Sequence, residues 1–374
     1  MPRIFAAVAS SPNAPQLPWS RIWHVNLIQP LIELGHEVIE FDFDWSRTML
    51  HLDPSNPIDS ELISRQRPKT SEQLLEQVTR AHAERPLDLF FSYFYSANVL
   101  PETIREISRL GIPTLNWYCN GSYQMDLVEE IAPAFDYCLV PEKFRLDDYR
   151  RLGARPIYCQ EAAHPGVYHP HDLPRDYDVT FVGQAYGTRI GFISSLIQHD
   201  IPTRVWGPGW LEQSSNYPQW RRTAGQLKRR LLGQPEPDVI EHVPRQYCGP
   251  PLSDDDLVKM YSRSKISLGF SSVARIAEDP SAQIRQVRLR DFEATMSGAF
   301  YLVEQFDELE EFFTPDREIV TFRDHWELVE KAKYYLQHDA EREKIRQAGM
   351  TRARAEHTWH ERFKMVFREM GLSG

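Results

Sequence analysis

The stretch Arg288–Phe313, RLRDFEATMSGAFYLVEQFDELEEFF, decides the fold. Leu289, Phe292 and Met296 fall at helical spacing, and Ser297-Gly298 supplies the glycine stop that commonly ends a helix. Ala299–Val303 then reads as a short apolar strand, and an acidic turn leads into another helix. An acid, Glu293, follows Phe292 on the first helix, flanked on the other side by Ala294. On spacing alone it is either a surface acid at the rim of an apolar face or an acceptor for a ligand's hydroxyl groups.

The same strand–helix grammar runs through the rest of the chain. In the first half, strands are expected at Ile4–Val8, Glu37–Phe41, Leu89–Tyr93, Pro113–Trp117, Tyr137–Val140 and Pro156–Cys159. Helices are expected at Trp23–Leu34, Ser71–Ala83, Pro101–Leu110, Asp126–Ala132 and Phe144–Leu152. Near-continuous apolar strands alternating with helices predict an α/β fold with a doubly wound parallel sheet. From Glu161 to Asp176 the text becomes EAAHPGVYHPHDLPRD, without periodicity, which marks a boundary. A second alternating series follows, with strands at Val179–Val182, Thr203–Trp206, Ile266–Phe270, Phe300–Val303 and Ile319–Phe322. Its helices are Arg189–Gln198, Asp254–Arg263, the Glu293 helix, His325–Leu336 and Ala340–Glu356. The expected division is 1–165, a linker at 166–176, a second Rossmann-like domain at 177–356 and a tail at 357–374.

Composition narrows the function. The chain has 374 residues, 41% hydrophobic and 26% charged, which suits two globular domains. A net charge of −10 argues against nucleic acid as a partner, since counterion replacement needs a basic face. No run approaches a membrane span, and MPRIFAAVASSP reads as a first strand rather than a secretion signal. The four cysteines, Cys119, Cys138, Cys159 and Cys248, form no C-x-x-C pair, which predicts free thiols in a cytoplasmic protein. A long insertion at 211–250 holds WRRTAGQLKRRLL, a basic amphipathic helix candidate that is either a solvated face or a peripheral membrane or anionic-acceptor contact.

The chemistry-bearing residues cluster at the carboxyl ends of the expected strands, where open parallel sheets bind ligands. In DVTFVGQAYGTRIGFI a strand runs into Gly183, Tyr186 and Arg189 at the start of a helix. Such a turn suits a phosphate, through backbone N–H groups, the helix dipole and a guanidinium fork. Trp206-Gly207-Pro208-Gly209-Trp210 ends the next strand and is either a stacking cap or a rigid turn. Ser271 and Ser272 follow ISLGF, with Arg275, Arg285, Arg288 and Arg290 close behind. Arg290, three residues before Glu293 on the same helix face, is the first choice for a diphosphate's positive partner. In the first half, His24 opens the first helix after the Ser10–Ser20 loop and has the chemistry of a general base. Asn120, in NWYCNG, and the carboxylates Asp126 and Glu142 complete the candidates. No metal site is expected: His164, His169 and His171 fall in the linker, and Asp42-Phe43-Asp44 directly follows a strand.

These features together resemble a family. R-x-F-E-A-x-x-x-G at Arg290–Gly298, the strand ending F-V-G before Arg189, GHEV at Gly35–Val38 and A-x-P-x-x-Y-H-P at the linker are similar to the GT-B glycosyltransferases, in particular the CgeB-like group. The resemblance implies two Rossmann-like domains facing a cleft. A nucleotide-diphosphate sugar would be held by the C-terminal domain and an unknown acceptor by the N-terminal one. It implies that Glu293 takes the ribose hydroxyls and that no cofactor is needed beyond the donor substrate. CgeB-like chains often carry an acid pair where this one has Asn120-Gly121. Many retaining members also carry a second Glu eight positions before the ribose-binding one, where this chain has Arg285. The rival expectations are a nucleotide-sugar epimerase or hydrolase on the same fold, or a non-catalytic surface or spore-coat binding protein.

Overall fold

The computed structural model describes residues 1–9, 20–45, 56–213, 243–275 and 283–372. Most of the Ser10–Ser20 loop and all of WRRTAGQLKRRLL lie outside them, as does the side chain of Arg275. The chain divides into two compact units, Met1–His164 with His357–Gly374, and Pro165–Glu356.

The first unit is a six-stranded sheet, β1 (Arg3–Ala7), β2 (Glu37–Glu40), β3 (Leu89–Ser92), β4 (Thr114–Trp117), β5 (Tyr137–Val140) and β6 (Pro156–Tyr158). Its order is β2-β1-β3-β4-β5-β6 and every pairing is parallel. Residues of β1, β3 and β4 are all buried, as expected of strands covered on both faces. The first helical stretch comprises α1 (Ser20–Trp23), a π turn (His24–Ile28) and α2 (Gln29–Glu33). Helix α3 (Pro57–Glu84) is twice the expected length and runs through Pro68. Asn56 caps it by accepting from the Ile58 amide at 2.9 Å. After α4 (Pro101–Arg109), the helix expected at Asp126–Ala132 is replaced by two short 3-10 turns, Met125–Leu127 and Ala132–Ala134. Pro133 lies inside the second turn, near its start, where its missing N–H costs no hydrogen bond. Helix α5 (Leu146–Arg151) precedes β6.

The second unit has β7 (Tyr177–Val182), β8 (Thr203–Trp206), β9 (Cys248–Gly249) and β10 (Ser264–Gly269). A hairpin of β11 (Ser272–Arg275) and β12 (Gln283–Arg285) follows, then β13 (Tyr301–Glu304) and β14 (Val320–Phe322). The parallel sheet has the order β14-β13-β10-β7-β8-β9. Its helices are α6 (Arg189–Gln198), α7 (Trp210–Gln213), α8 (Asp254–Arg263), α9 (Leu289–Met296), α10 (His325–Gln337) and α11 (Asp339–Glu356). Strand β9 and the hairpin were not expected from the sequence.

The segment 357–374, read as a tail, is grouped with the first unit and forms α12 (Trp359–Met370). The Thr358 hydroxyl accepts from the Glu361 amide at 3.2 Å, and Gly371 closes the helix at φ +71°. Trp359 meets Trp117 edge-on at 5.2 Å and Phe363 meets Phe91 at 5.6 Å. Burying each of these rings is worth about 1.5–3 kcal/mol. Among the described residues, no helix is long and apolar enough to cross a membrane.

Candidate functional site

In the second sheet, strand order reverses between β7 and β10, and ligands of such sheets sit outside the carboxyl ends at the reversal. β7 leads into Gly183 and β10 into Phe270 and Ser271. The Gly183 loop is locked to the loop after β8. The Gly183 amide donates to Trp206 O at 2.8 Å, the Ala185 amide to Pro208 O at 2.9 Å, and Trp210 Nε1 donates to Gly183 O at 2.6 Å. Gly207 lies at φ +139°, and a Cβ there would come within 2.3 Å of Gly183 O, so only glycine fits. Trp206, readable from the sequence as a stacking cap or as part of a rigid turn, is buried against Tyr177, Val182 and Met260 and braces the loop.

The brace aims the start of α6. Arg189 is 6% exposed and lies 3.9 Å over the Tyr186 ring. It donates to Gln184 O at 3.0 Å and to the Tyr186 hydroxyl at 2.7 Å. Arg288 Nη1 donates to the same hydroxyl at 3.1 Å, so two guanidinium groups converge there. Among the described residues Arg189 forms no ion pair. Its Nε and the neighbouring Thr188 Oγ1 are buried without a hydrogen-bond partner. Burial pulls the Arg189 pKa down to about 10, with Arg288 adding to the drop and Tyr186 opposing it. The group remains charged at neutral pH. A buried, unpaired cation with an unsatisfied donor is costly unless a ligand completes it.

Two buried acids of this unit, Glu293 and Glu304, have partners within the fold. Glu293 is 4% exposed, lies 3.1 Å from Arg290 Nη1 and accepts from the Tyr168 hydroxyl. Arg290 also donates to the Tyr261 hydroxyl at 2.9 Å. Burial works against the Arg290 charge, but Tyr261 and Glu293 outweigh it and hold its pKa above the ordinary value. The structure thus directs Arg290 to Glu293 and brings Arg288 to the Arg189 side. Ser271, expected as a ligand, gives its amide to Glu304 Oε2 at 3.1 Å and its hydroxyl to Glu304 O at 2.7 Å. The Ser272 amide and hydroxyl bind the same carboxylate at 3.1 and 2.8 Å.

The carboxyl edge of the first sheet differs in chemistry. The Cys119 thiol, after β4, meets the Tyr93 hydroxyl at 3.3 Å and is hydrogen-bonded to Glu161. Burial, reinforced by Glu161, pushes the thiol pKa well above its ordinary value, and burial does the same to the Tyr93 and Tyr118 phenols. All three remain protonated at neutral pH. Glu142 and Glu161 are buried carboxylates at the ends of β5 and β6. A Cβ at Gly121 would lie 3.3 Å from the Tyr149 hydroxyl and 3.8 Å from Glu142 Oε2, so glycine leaves room over that acid. Asn120 accepts from the Tyr123 hydroxyl at 3.0 Å beside this group. Asp126 is exposed in its 3-10 turn. His24 starts the π turn, with Nδ1 3.9 Å from Glu40 Oε2, while Trp23 stacks on Tyr93 at 4.8 Å. Glu161 is the residue sequence reading missed. The sequence places it at the start of the boundary, and its position just past a strand is the signal that marks it.

Residues 189–368 match a family model described as glycosyl transferase-like, just under half of the chain. No curated protein matches the sequence. Similar solved structures include the sucrose-phosphate synthase of Thermosynechococcus elongatus, at 13% identity over 100% of both chains with a TM-score of 0.56. A glycosyltransferase of Rickettsia africae ESF-5 is 10% identical over 100% of both chains, with a TM-score of 0.60. HepE of Anabaena, in complex with UDP and glucose, is 11% identical over 99% of this chain and 100% of that one, at 0.53. At these identities the likeness is one of architecture, and the chain has the two-sheet α/β fold of the GT-B glycosyltransferases.

Proposed function

We propose that the protein is a glycosyltransferase of CgeB-like, hexosyl-transferring type, which moves a sugar from a nucleotide-diphosphate donor to an acceptor hydroxyl in the cytoplasm. The observation that carries this reading is the buried, unpaired Arg189 at the reversal point of the second sheet, with Thr188 Oγ1 beside it. A departing nucleoside diphosphate gains negative charge, which fixed cations stabilise in the transition state. Arg189 and Arg288, joined at the Tyr186 hydroxyl, take that role, and the dipole of α6 adds to it. Because the Gly183 and Ala185 amides are taken by neighbouring carbonyls, they serve as a brace rather than a phosphate cradle. Glu293 has acceptor capacity left after Arg290 and Tyr168, since a carboxylate offers about four lone-pair sites. It is assigned the ribose hydroxyls.

The first unit is assigned the acceptor. His24 is the proposed base, its Nδ1 lying 3.9 Å from Glu40 Oε2, and its imidazole takes the hydroxyl proton. Glu142 and Glu161 are the competing bases. The test is a thermal-shift and calorimetric screen against UDP, GDP, dTDP and ADP, with CMP as the single-phosphate comparison. UDP comes first because HepE was crystallised with it. A diphosphate should raise the melting temperature by mass action. If none does, or if CMP does as well, the reading fails. Turnover of donor without acceptor would instead mark an epimerase or hydrolase.

A further inference from the structure

The strongest unassigned cluster lies in the first unit and shares no side chain with the chemistry above. Glu33 closes α2 just before β2 begins, at the amino edge of the sheet. Its Oε2 lies 3.1 Å from His164 Nε2 and 2.7 Å from His360 Nε2, and the two imidazole rings are 5.3 Å apart. The three ligand atoms all lie within 4.8 Å of one another. The juxtaposition is built by the backbone. Ala163 pairs with Thr358 in a parallel bridge, and the Ala163 amide donates to His357 O at 3.3 Å, which sets His164 and His360 side by side. Gln29 Nε2 donates to Glu33 Oε1 at 2.9 Å, which turns Oε2 toward the histidines. Orientation of a ligating carboxylate by such an outer hydrogen bond is a recurrent feature of metal sites.

We propose that Glu33, His164 and His360 bind one divalent transition metal of the zinc class, which fastens the carboxyl-terminal helix α12 to the first unit. The donor set decides the class. Two imidazoles and one carboxylate suit zinc and cobalt, whereas magnesium and calcium require oxygen ligands. Metal–ligand bonds of about 2.0–2.2 Å in tetrahedral geometry place neighbouring donors roughly 3.3–3.5 Å apart. The 3.1 Å edge nearly fits, and the 2.7 Å edge must open by about 0.6–0.8 Å. The Glu33 side chain, 40% exposed at a helix end, is free to make that move, whereas His164 is 4% exposed and fixed. Water completes the fourth position. The metal bridges segments 33, 164 and 360, which are far apart in sequence, so its binding stabilises the folded state by mass action.

The experiment uses the full chain, stripped with a chelator and dialysed, then titrated with zinc, cobalt or magnesium chloride. Calorimetry should show one equivalent of zinc, with a higher melting temperature, and no effect of magnesium. Cobalt should give visible ligand-field bands without a thiolate charge-transfer band. His360→Gln should weaken zinc binding at least tenfold. Glu33→Gln, at an exposed helix end where folding is not at stake, should do the same. Absence of a single zinc equivalent overturns the proposal. So does binding that survives both variants, or binding lost instead in the His169→Ala, His171→Ala double variant.

Discussion

The two sheets share one architecture but carry opposite chemistry at their carboxyl edges. The second presents cations: Arg189 and Arg288 meet at the Tyr186 hydroxyl, and Arg189 forms no ion pair among the described residues. Its buried acids are partnered within the fold, Glu293 by Arg290 and Tyr168, with lone pairs to spare, and Glu304 by the Ser271 and Ser272 amides. The first presents buried carboxylates, Glu142 and Glu161, among phenols and a thiol that stay protonated. An edge with surplus positive charge suits a diphosphate. An edge with carboxylates and an imidazole suits a neutral hydroxyl that must lose a proton. The contrast teaches that the fold supplies position alone, while the side chains at the strand ends divide the labour.

The largest expected effect tests the proton-accepting edge. His24→Ala should lower the transfer rate roughly 10²–10⁴-fold and leave nucleotide affinity unchanged within error, as expected for a general base. A rate preserved within a few-fold, with Glu142→Gln or Glu161→Gln causing the drop instead, would move the base to the buried acids. The contrast between the edges would survive that outcome.

Arg189→Met tests the other edge. Charge-assisted hydrogen bonds are worth about 1.5–3 kcal/mol each, so nucleoside-diphosphate affinity should fall about tenfold to a hundredfold. Stability without ligand should change by no more than about 1 kcal/mol, because the lost guanidinium has no carboxylate to strand. Retained affinity, read by calorimetry on the folded variant, would remove Arg189 from the site. A large loss of stability would show that its positive charge is structural.

Much of this was legible beforehand, for physical reasons. Strands such as Tyr137–Val140 and Thr203–Trp206, and helices such as Arg189–Gln198 and Asp254–Arg263, were placed to the residue because local apolar pattern and turn chemistry agree there. Helix α12 was read as a tail although Thr358-x-x-Glu361 and Gly371 mark both its ends. Its apolar face meets partners such as Trp117 and Phe91, hundreds of positions earlier. At the site, the Gly183 turn and Arg189 could be read from strand–turn–helix order. That Arg288 rather than Arg290 turns toward Tyr186, or that Ser271 serves Glu304, depends on contacts that no local pattern encodes.

A milder effect is expected at Glu293. Glu293→Gln should weaken nucleoside-diphosphate binding by about tenfold through lost hydrogen bonds to a charged acceptor. Inhibition by inorganic pyrophosphate, which lacks ribose, should be unchanged. Equal losses for both ligands would mean that the substitution disturbs the Arg290 cluster rather than a ribose contact.

The smallest expected effect on transfer, and the sharpest check on the inward-facing acids, is Asp291→Asn. Asp291 caps α9 by accepting from the Arg288 amide at 2.8 Å, and it accepts from the Tyr301 hydroxyl at 2.7 Å. Burial raises its pKa from 3.8 to about 6 despite these hydrogen bonds. The folded state therefore holds the proton more tightly than the unfolded chain does. The associated stability is fully present below about pH 4 and is lost as pH rises through about 6. Asparagine keeps both hydrogen bonds, with Oδ1 taking the Arg288 amide and Nδ2 donating to the Tyr301 oxygen. It has no charge to bury. Denaturant unfolding should then show the variant gaining on the parent protein as pH rises from 4 to 7, by on the order of 1–3 kcal/mol. Transfer at neutral pH should stay within a few-fold of the parent. A difference that is flat across this range would mean that Asp291 is ionised at little cost, and the second unit's acids would then be less insulated than the comparison requires.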